Sequence, residues 1–135
     1  MAETVYTTPL LDKLGVKPAS RVAVINIEDD EFRRLLVERT QDITEGKPLP
    51  HSDLVFVGID DGTELQQLGF LRGRIVPNGA IWVVSRKGKQ ATLRDIEVIA
   101  AARAAGLVDN KVAAFSQHQT ALRLVIPRAL RPKAG

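Results

Sequence analysis

The chain of 135 residues carries 19 Lys and Arg against 16 Asp and Glu, and it contains no cysteine, one Trp, one Tyr and four Phe. This composition excludes disulfides, thiolate metal sites and cysteine nucleophiles, and it argues against the aromatic stacking surface that single-stranded nucleic acid requires. Two histidines offer little for an imidazole site, so we predict no metal. No apolar run approaches the roughly 20 residues of a membrane helix, and no signal-peptide pattern opens the chain. We therefore expect one soluble, cytoplasmic domain over residues 1–135, without a membrane partner.

The charge is divided unevenly along the chain. Residues 1–70 hold 7 Lys and Arg against 13 Asp and Glu, whereas residues 71–135 hold 12 against 3. Such asymmetry is typical of an anion-binding face, but two halves that interleave in one sheet would average the field out. Nucleic-acid binding through the basic half is a third hypothesis, which the composition does not favour.

The first half predicts a short helix, a strand and a second helix. Residues 8–15 have Thr8 as N-cap, proline at the first helical position and glycine after the last turn. Residues 21–27 are apolar on both faces, which is typical of a covered strand. The acidic turn at 28–31 then begins a helix that runs to about residue 40, with an Asp as N-cap. Residues 1–7 and 128–135 are expected to be flexible.

The following segments alternate between loop, strand and helix. Residues 42–52, which contain one glycine and two prolines, predict a loop, and residues 53–59 predict the second strand. Asp61 and Glu64 form a capping pattern before a leucine-rich helix that ends near residue 74. A Pro-Asn-Gly turn at 77–79 leads into the third strand, residues 80–84.

The last third predicts a helix and two strands. Residues 93–105 form a helix that buries Ile96, Ile99 and Ala100, and residues 108–115 and 120–126 form strands. Only four residues separate these two strands, which is too short for a parallel crossover, so they form an antiparallel hairpin. The sequence therefore predicts a three-layer, Rossmann-like α/β sandwich of about five strands, mostly parallel, with a C-terminal antiparallel strand.

Several motifs resemble those of class I S-adenosylmethionine-dependent methyltransferases. The similar segments are residues 14–22 before the first strand, residues 53–55, the turn at 76–80 and the Ala-Ala-Gly-Leu step at 104–107. The chain also resembles a family of short bacterial proteins of unknown function with a trimmed fold of this kind, through residues 8–11, 53–55, 85–87 and 106–112. With strands numbered in sequence, this resemblance implies the sheet order 1-2-3-5-4.

The chain departs from the methyltransferase pattern where that family binds its cofactor. The glycine-rich loop after the first strand is replaced by residues 26–30, and no glycine lies between Ser20 and Gly46. Two strands that would supply the acid for the cofactor ribose are also expected to be absent. We therefore predict no cofactor, and we expect S-adenosylmethionine to be disfavoured, although an acidic turn would not repel its cationic methionine end.

Candidate site residues follow the predicted strands, because open α/β sheets bind ligands beyond the carboxyl ends of their strands. Asp60 and Asp61 are weak catalytic candidates, with helix capping as the structural interpretation of Asp61. The candidates for binding a small anionic ligand are Asn26, Arg86, Lys87 and Lys89, although a solvated loop is the favoured interpretation of the three basic residues. His118, in the last turn, is interpreted as a surface residue.

Two functions remain open, and one assembly is expected. The leading hypothesis is a non-catalytic, methyltransferase-like domain that acts by binding or assembly. The alternative is a reduced S-adenosylmethionine-dependent methyltransferase or a small-anion-binding enzyme. Loss of the outer strands would leave residues 21–27 at an unprotected sheet edge, which favours a homodimer. The chain itself could instead cover this edge, with residues 4–6 as a strand or with the loop at 42–52.

Overall fold

The computed structural model describes residues 9–131. The predictions for Thr8, for the loose residues 1–7 and for residues 132–135 lie outside this range. The described helices are α1 (Leu10–Leu14), α2 (Asp30–Arg39), α3 (Leu68–Arg72) and α4 (Asp95–Ala104). Turns of 3-10 helix cover Gly62–Gln67, which leads into α3, as well as Gly88–Gln90 and Arg128–Leu130. No helix within residues 9–131 is long and apolar enough to cross a bilayer.

Within residues 9–131, six strands form one mixed sheet in the order β2-β1-β3-β4-β6-β5. Neighbours pair in parallel from β2 to β4, whereas β6 runs antiparallel to both β4 and β5. The five predicted strands stand in the predicted order, so the α/β sandwich with its C-terminal antiparallel hairpin is confirmed. The strands are β1 (Arg21–Ile25), β2 (Asp42–Glu45), β3 (Ser52–Gly58), β4 (Ile75–Arg86), β5 (Val108–Ala114) and β6 (Gln119–Val125).

The central strands are covered on both faces, which explains their unbroken apolar pattern. One face packs against α1 and α2, and the other packs against α3 and α4. Trp82 of β4 is fully buried, and its indole N–H donates to the carbonyl of Leu14 at 3.0 Å, which ties α1 to the sheet. The predicted buried side of α4 is confirmed only for Ile99, which packs against the core. It is wrong for Ile96, which is 65% exposed, and for Ala100; the helix instead buries Val98 and Ala102.

The segment at 42–45 is a strand, so the prediction of a continuous loop at 42–52 is wrong. β2 pairs in parallel with β1, from Arg21 opposite Asp42 to Val24 opposite Glu45. Its residues are partly exposed, and polar groups hold it: the Arg21 guanidinium contacts the Asp42 carboxylate at 3.0 Å. Four residues without an apolar run have no strand pattern of their own.

The strand β1 consequently lies inside the sheet, and the prediction of an edge open to a second copy is wrong. The alternative, in which the segment at 42–52 covers this edge, is confirmed, with a strand in place of the expected loop. This removes the argument for a homodimer that pairs through β1. The edges of the described sheet are β2 and β5, and both carry features that discourage pairing with another chain. Asp42 and Glu45 place charges on β2, while β5 has a register irregularity between Asp109 and Lys111.

Candidate functional site

The carboxyl ends of β1 and β3 meet in unusually close contact. Asn26 follows β1 with a φ of 56°, a left-handed conformation that Asn tolerates better than most residues. Its side-chain amide donates to the carbonyl of Gly58 at 3.1 Å. A Cβ on Gly58 would lie 2.2 Å from the backbone oxygen of Asn26, so only glycine permits this approach. The turn after β1 is thereby fixed against the end of β3.

The acidic turn that follows is partly used to start α2. Asp29 is the N-cap, and its Oδ1 accepts the backbone N–H of Phe32 at 3.0 Å. Glu28 is exposed and makes no hydrogen bond with its side chain to another described residue. The turn therefore presents one carboxylate that the fold requires and one that is available to a ligand.

Asp60 connects the ends of β3 and β4. Its Oδ1 accepts the backbone N–H of Arg86 at 2.9 Å, and its Oδ2 lies 3.6 Å from Nε of the same residue. Its backbone oxygen accepts the hydroxyl of Thr92 at 2.5 Å, which docks the segment before α4. Because both carboxylate oxygens face Arg86, Asp60 has the environment of a positioning residue rather than of a free proton acceptor.

The neighbouring Asp61 has a different role. Its Oδ1 accepts the backbone N–H of Thr63 at 2.9 Å and the Thr63 hydroxyl at 3.0 Å. These hydrogen bonds favour the ionised form and hold the pKa of Asp61 below its usual value. Asp61 is the N-cap of the 3-10 turn at Gly62–Gln67, as its capping interpretation predicts.

A cavity of about 590 Å³, hereafter the rim cavity, opens between these strand ends and the turn from β5 to β6. All of its lining residues are polar or charged: Asn26, Glu28, Asp29, Asp60, Arg86, Gln90, Ser116, Gln117, His118 and Gln119. Three carboxylates face one arginine and one histidine. The arginine is already associated with Asp60, so the cavity favours a cation or a zwitterion over a simple anion.

The predicted site residues divide into two groups. The structure brings Asn26, Asp60 and Arg86 together at the rim cavity, whereas Asp61, Lys87 and Lys89 do not line it. Lys87 and Lys89 are exposed at the Gly88–Gln90 turn. His118 reaches the cavity because its turn is fastened to the end of β4, where the Lys87 backbone N–H donates to the His118 carbonyl at 3.0 Å. Periodicity in the sequence contains no signal for that contact.

An ion pair closes the gap between the ends of β1 and β2. The Arg33 guanidinium of α2 binds both carboxylate oxygens of Glu45, at 3.0 and 2.9 Å, and it also donates to the Ile27 carbonyl. The hydrogen bonds from Arg33 hold the pKa of Glu45 below its usual value. Glu45 is the last residue of β2, so one strand expected to be missing is present and ends in an acid, but that acid is already engaged.

These residues fit one end of S-adenosylmethionine. The carboxylates of Glu28 and Asp29 suit its ammonium and sulfonium groups. Among residues 9–131, the adenosine end lacks a matching surface, because no aliphatic, Phe, Tyr or Trp side chain lines the rim cavity and Glu45 is bound to Arg33. Within residues 9–131, no group of three or more His, Asp or Glu side chains is arranged to hold a metal ion.

Several solved structures of methyltransferases share this fold. No protein-family model matches the sequence, and no curated protein matches it. A candidate methyltransferase from Thermoplasma acidophilum superposes with a TM-score of 0.64 at 7% identity, over 90% of this chain and 75% of that one. For the SAH-bound calicheamicin methyltransferase CalO1 the TM-score is 0.61 at 14% identity, over 87% of this chain and 52% of that one.

A third neighbour is Aeropyrum pernix fibrillarin with natively bound S-adenosyl-L-methionine. Its TM-score is 0.54 at 11% identity, over 82% of this chain and 68% of that one. This chain spans about half the length of CalO1 and about two thirds of fibrillarin. At such low identities the similarity establishes the fold alone: the chain has a class I methyltransferase-like fold.

Proposed function

We propose that this protein is a reduced methyltransferase that binds S-adenosylmethionine through its methionine end in the rim cavity. The observation that carries the proposal is the position and charge of the rim cavity. It lies at the carboxyl ends of β1, β3 and β4, where α/β sheets bind their ligands, and three carboxylates line it. The fold neighbours support it, since fibrillarin and CalO1 hold the cofactor or its demethylated product. When bound, S-adenosylmethionine supplies an activated methyl group.

The residues of this chain would divide the work of binding. Glu28 and Asp29 would attract the positive charges of the ligand, and Arg86, held by Asp60, would face its carboxylate. Among residues 9–131, the adenosine end has no fitting partners in the rim cavity, so the lining accounts for binding of the methionine end but for no step of methyl transfer. The charge balance also disfavours the small anionic ligand expected from the sequence at this site.

Calorimetric titration tests the proposal. S-adenosylmethionine should bind more tightly than S-adenosylhomocysteine, because the latter lacks the sulfonium charge that faces the carboxylates. Glu28→Gln should weaken binding about fivefold, as expected for about 1 kcal/mol from one charge pair near the surface. Glu38→Gln is the matched control, since Glu38 lies on the exposed side of α2 and contacts Arg34. No binding, or equal binding by the Glu28→Gln protein, would refute the proposal.

The second candidate is a binding domain without catalysis, and the Arg33–Glu45 pair favours it. That pair occupies the acid at the end of β2, and the glycine-rich loop is replaced by residues whose side chains bar close approach of a ligand to the backbone. Mass spectrometry of S-adenosylhomocysteine distinguishes the two functions. Cofactor binding without product, in the presence of a panel of phenol, thiol and amine acceptors, would support the binding domain.

A homodimer stays a prediction, now without the open β1 edge as its reason. Light scattering at micromolar concentrations measures the mass directly. A value near the 14.8 kDa of one chain would refute the dimer, and a value near twice that would support it.

A further inference from the structure

A second cavity, of about 380 Å³, opens at the opposite edge of the sheet. This amino-edge cavity lies between the turn before β1, the start of β3, Asn78 and Gly79 of β4, and β6. Two basic side chains line it, Lys17 and Arg123, together with Asn78 and the carboxylate-bearing Asp53. Asp53 is engaged elsewhere, since its Oδ2 accepts the backbone N–H of Arg21 at 2.8 Å. The side-chain charge around this cavity is therefore positive, the reverse of the rim cavity.

Arg123 is the unusual member of this group. It lies in β6 opposite Trp82, on the sheet face where its neighbours Ala121 and Val125 belong to the apolar cluster. Its side chain is half-buried, and within residues 9–131 its guanidinium makes no hydrogen bond and no ion pair. Burial, and to a lesser degree the nearby positive charge of Arg131, lower the pKa of Arg123.

The other half-buried arginines show that a partly buried guanidinium normally has a partner in this protein. Each has a partner among the described residues: a carboxylate, a backbone carbonyl or an aromatic ring. The arginines with carboxylate partners are Arg21, Arg33 and Arg39, those with carbonyl partners are Arg72 and Arg131, and Arg74 lies over the ring of Phe70. A partly desolvated cation without a counter-charge is unfavourable. Within the described part of the chain, Arg123 alone stands in this position, and it faces a cavity.

We propose that the amino-edge cavity binds a small anion, a carboxylate or a phosphate, with Arg123 as the principal contact and Lys17 as the second charge. The guanidinium presents paired donors that match both kinds of oxyanion. The anion would provide the counter-charge that the described residues do not. This site is independent of the rim cavity, so each proposal can fail without the other.

Thermal unfolding and calorimetry with two defined anions test the site. Phosphate and citrate should raise the melting temperature more than chloride at equal ionic strength, and the stronger of the two identifies the oxyanion class. Arg123→Gln should abolish the rise in melting temperature. Arg123→Lys should weaken anion binding several-fold, because a single ammonium charge replaces the paired donors of the guanidinium. Arg103→Gln, on the exposed side of α4, is the control and should leave anion binding unchanged.

A second variant and a direct readout remove any dependence on the folding of the Arg123 proteins. Lys17 is exposed and its side chain makes no described contact, so Lys17→Gln should fold normally and weaken anion binding about threefold to fivefold. In ¹H–¹⁵N spectra, phosphate or citrate should move the signals of Gly79 and Arg123 but not those of Asn26 and His118. Responses equal to chloride, or unchanged binding by Arg123→Gln, would overturn the proposal.

Discussion

Replacing Gly58 by alanine tests whether the close contact between β1 and β3 holds the rim cavity in shape. The new Cβ would lie 2.2 Å from the Asn26 carbonyl oxygen, which belongs to the backbone and cannot rotate away. The closest ordinary contact of this kind is about 3.3 Å, so the strand ends must separate by about 1 Å. Overpacking on this scale costs about 1–3 kcal/mol. The displacement would also carry Asn26, Glu28 and their cavity wall away from β3.

The expected loss can be measured against a matched variant. For a chain of this length, 1 kcal/mol changes the melting temperature by about 4 °C, so Gly58→Ala should lower it by about 4–12 °C. A Cβ added to Gly69 of α3 would meet no atom within 4 Å, and the φ of Gly69 is not in the left-handed region. Gly69→Ala should therefore raise stability by about 0.5–1 kcal/mol, the helix preference for alanine over glycine.

Both substitutions add one methyl group, so opposite changes in melting temperature would isolate the effect of the contact between Gly58 and Asn26. Differential scanning calorimetry gives both melting temperatures, and S-adenosylmethionine titration of the Gly58→Ala protein reports on the cavity. A melting temperature of Gly58→Ala equal to the native one would show that the strand ends are not in contact as described. The geometry of the rim cavity would then need to be revised.

Two further predictions concern buried and exposed contacts. Trp82→Phe removes the indole donor to the Leu14 carbonyl and leaves a void, so urea unfolding should show a free energy of unfolding lower by about 2–4 kcal/mol. The amide hydrogen of Val16 should also exchange faster as α1 loosens, and an exchange rate equal to that of the native protein would contradict the anchoring of α1. Glu45→Gln should cost about 0.3–1 kcal/mol at pH 7. Because Arg33 lowers the pKa of Glu45 in the folded state, this contribution is fully present above its usual pKa of 4.5 and decreases as the pH falls from 4.5 through the lower pKa of the folded state. A deficit that urea unfolding finds undiminished between pH 7 and pH 3 would refute this origin.

The pattern of apolar residues determined most of the fold. The strand β3 and residues 80–84 of β4 are covered on both faces and have few polar positions, so a continuous apolar run identifies them without tertiary information. The same pattern does not identify the start of β4, because residues 77–79 belong to the strand and the prediction of a turn there is wrong. The four-residue link before β6 cannot span a parallel crossover, which settles the antiparallel hairpin on length alone. Capping by Asp29 and Asp61 is equally local, because each side chain bonds a backbone N–H within three residues.

Only the tertiary structure decided those elements and sites that depend on contacts between residues distant in sequence. β2 is four residues long with a single apolar side chain, and it is a strand because Arg21 and Arg33 hold its two ends against β1 and α2. The buried side of α4 depends on how the helix docks, which its alanine-rich sequence leaves open. The rim cavity likewise exists because β6 returns antiparallel and brings His118 to the same cavity as Asp60, a residue 58 positions away in the sequence. Local patterns encode burial, whereas sites at sheet edges form from contacts that only the folded chain brings together.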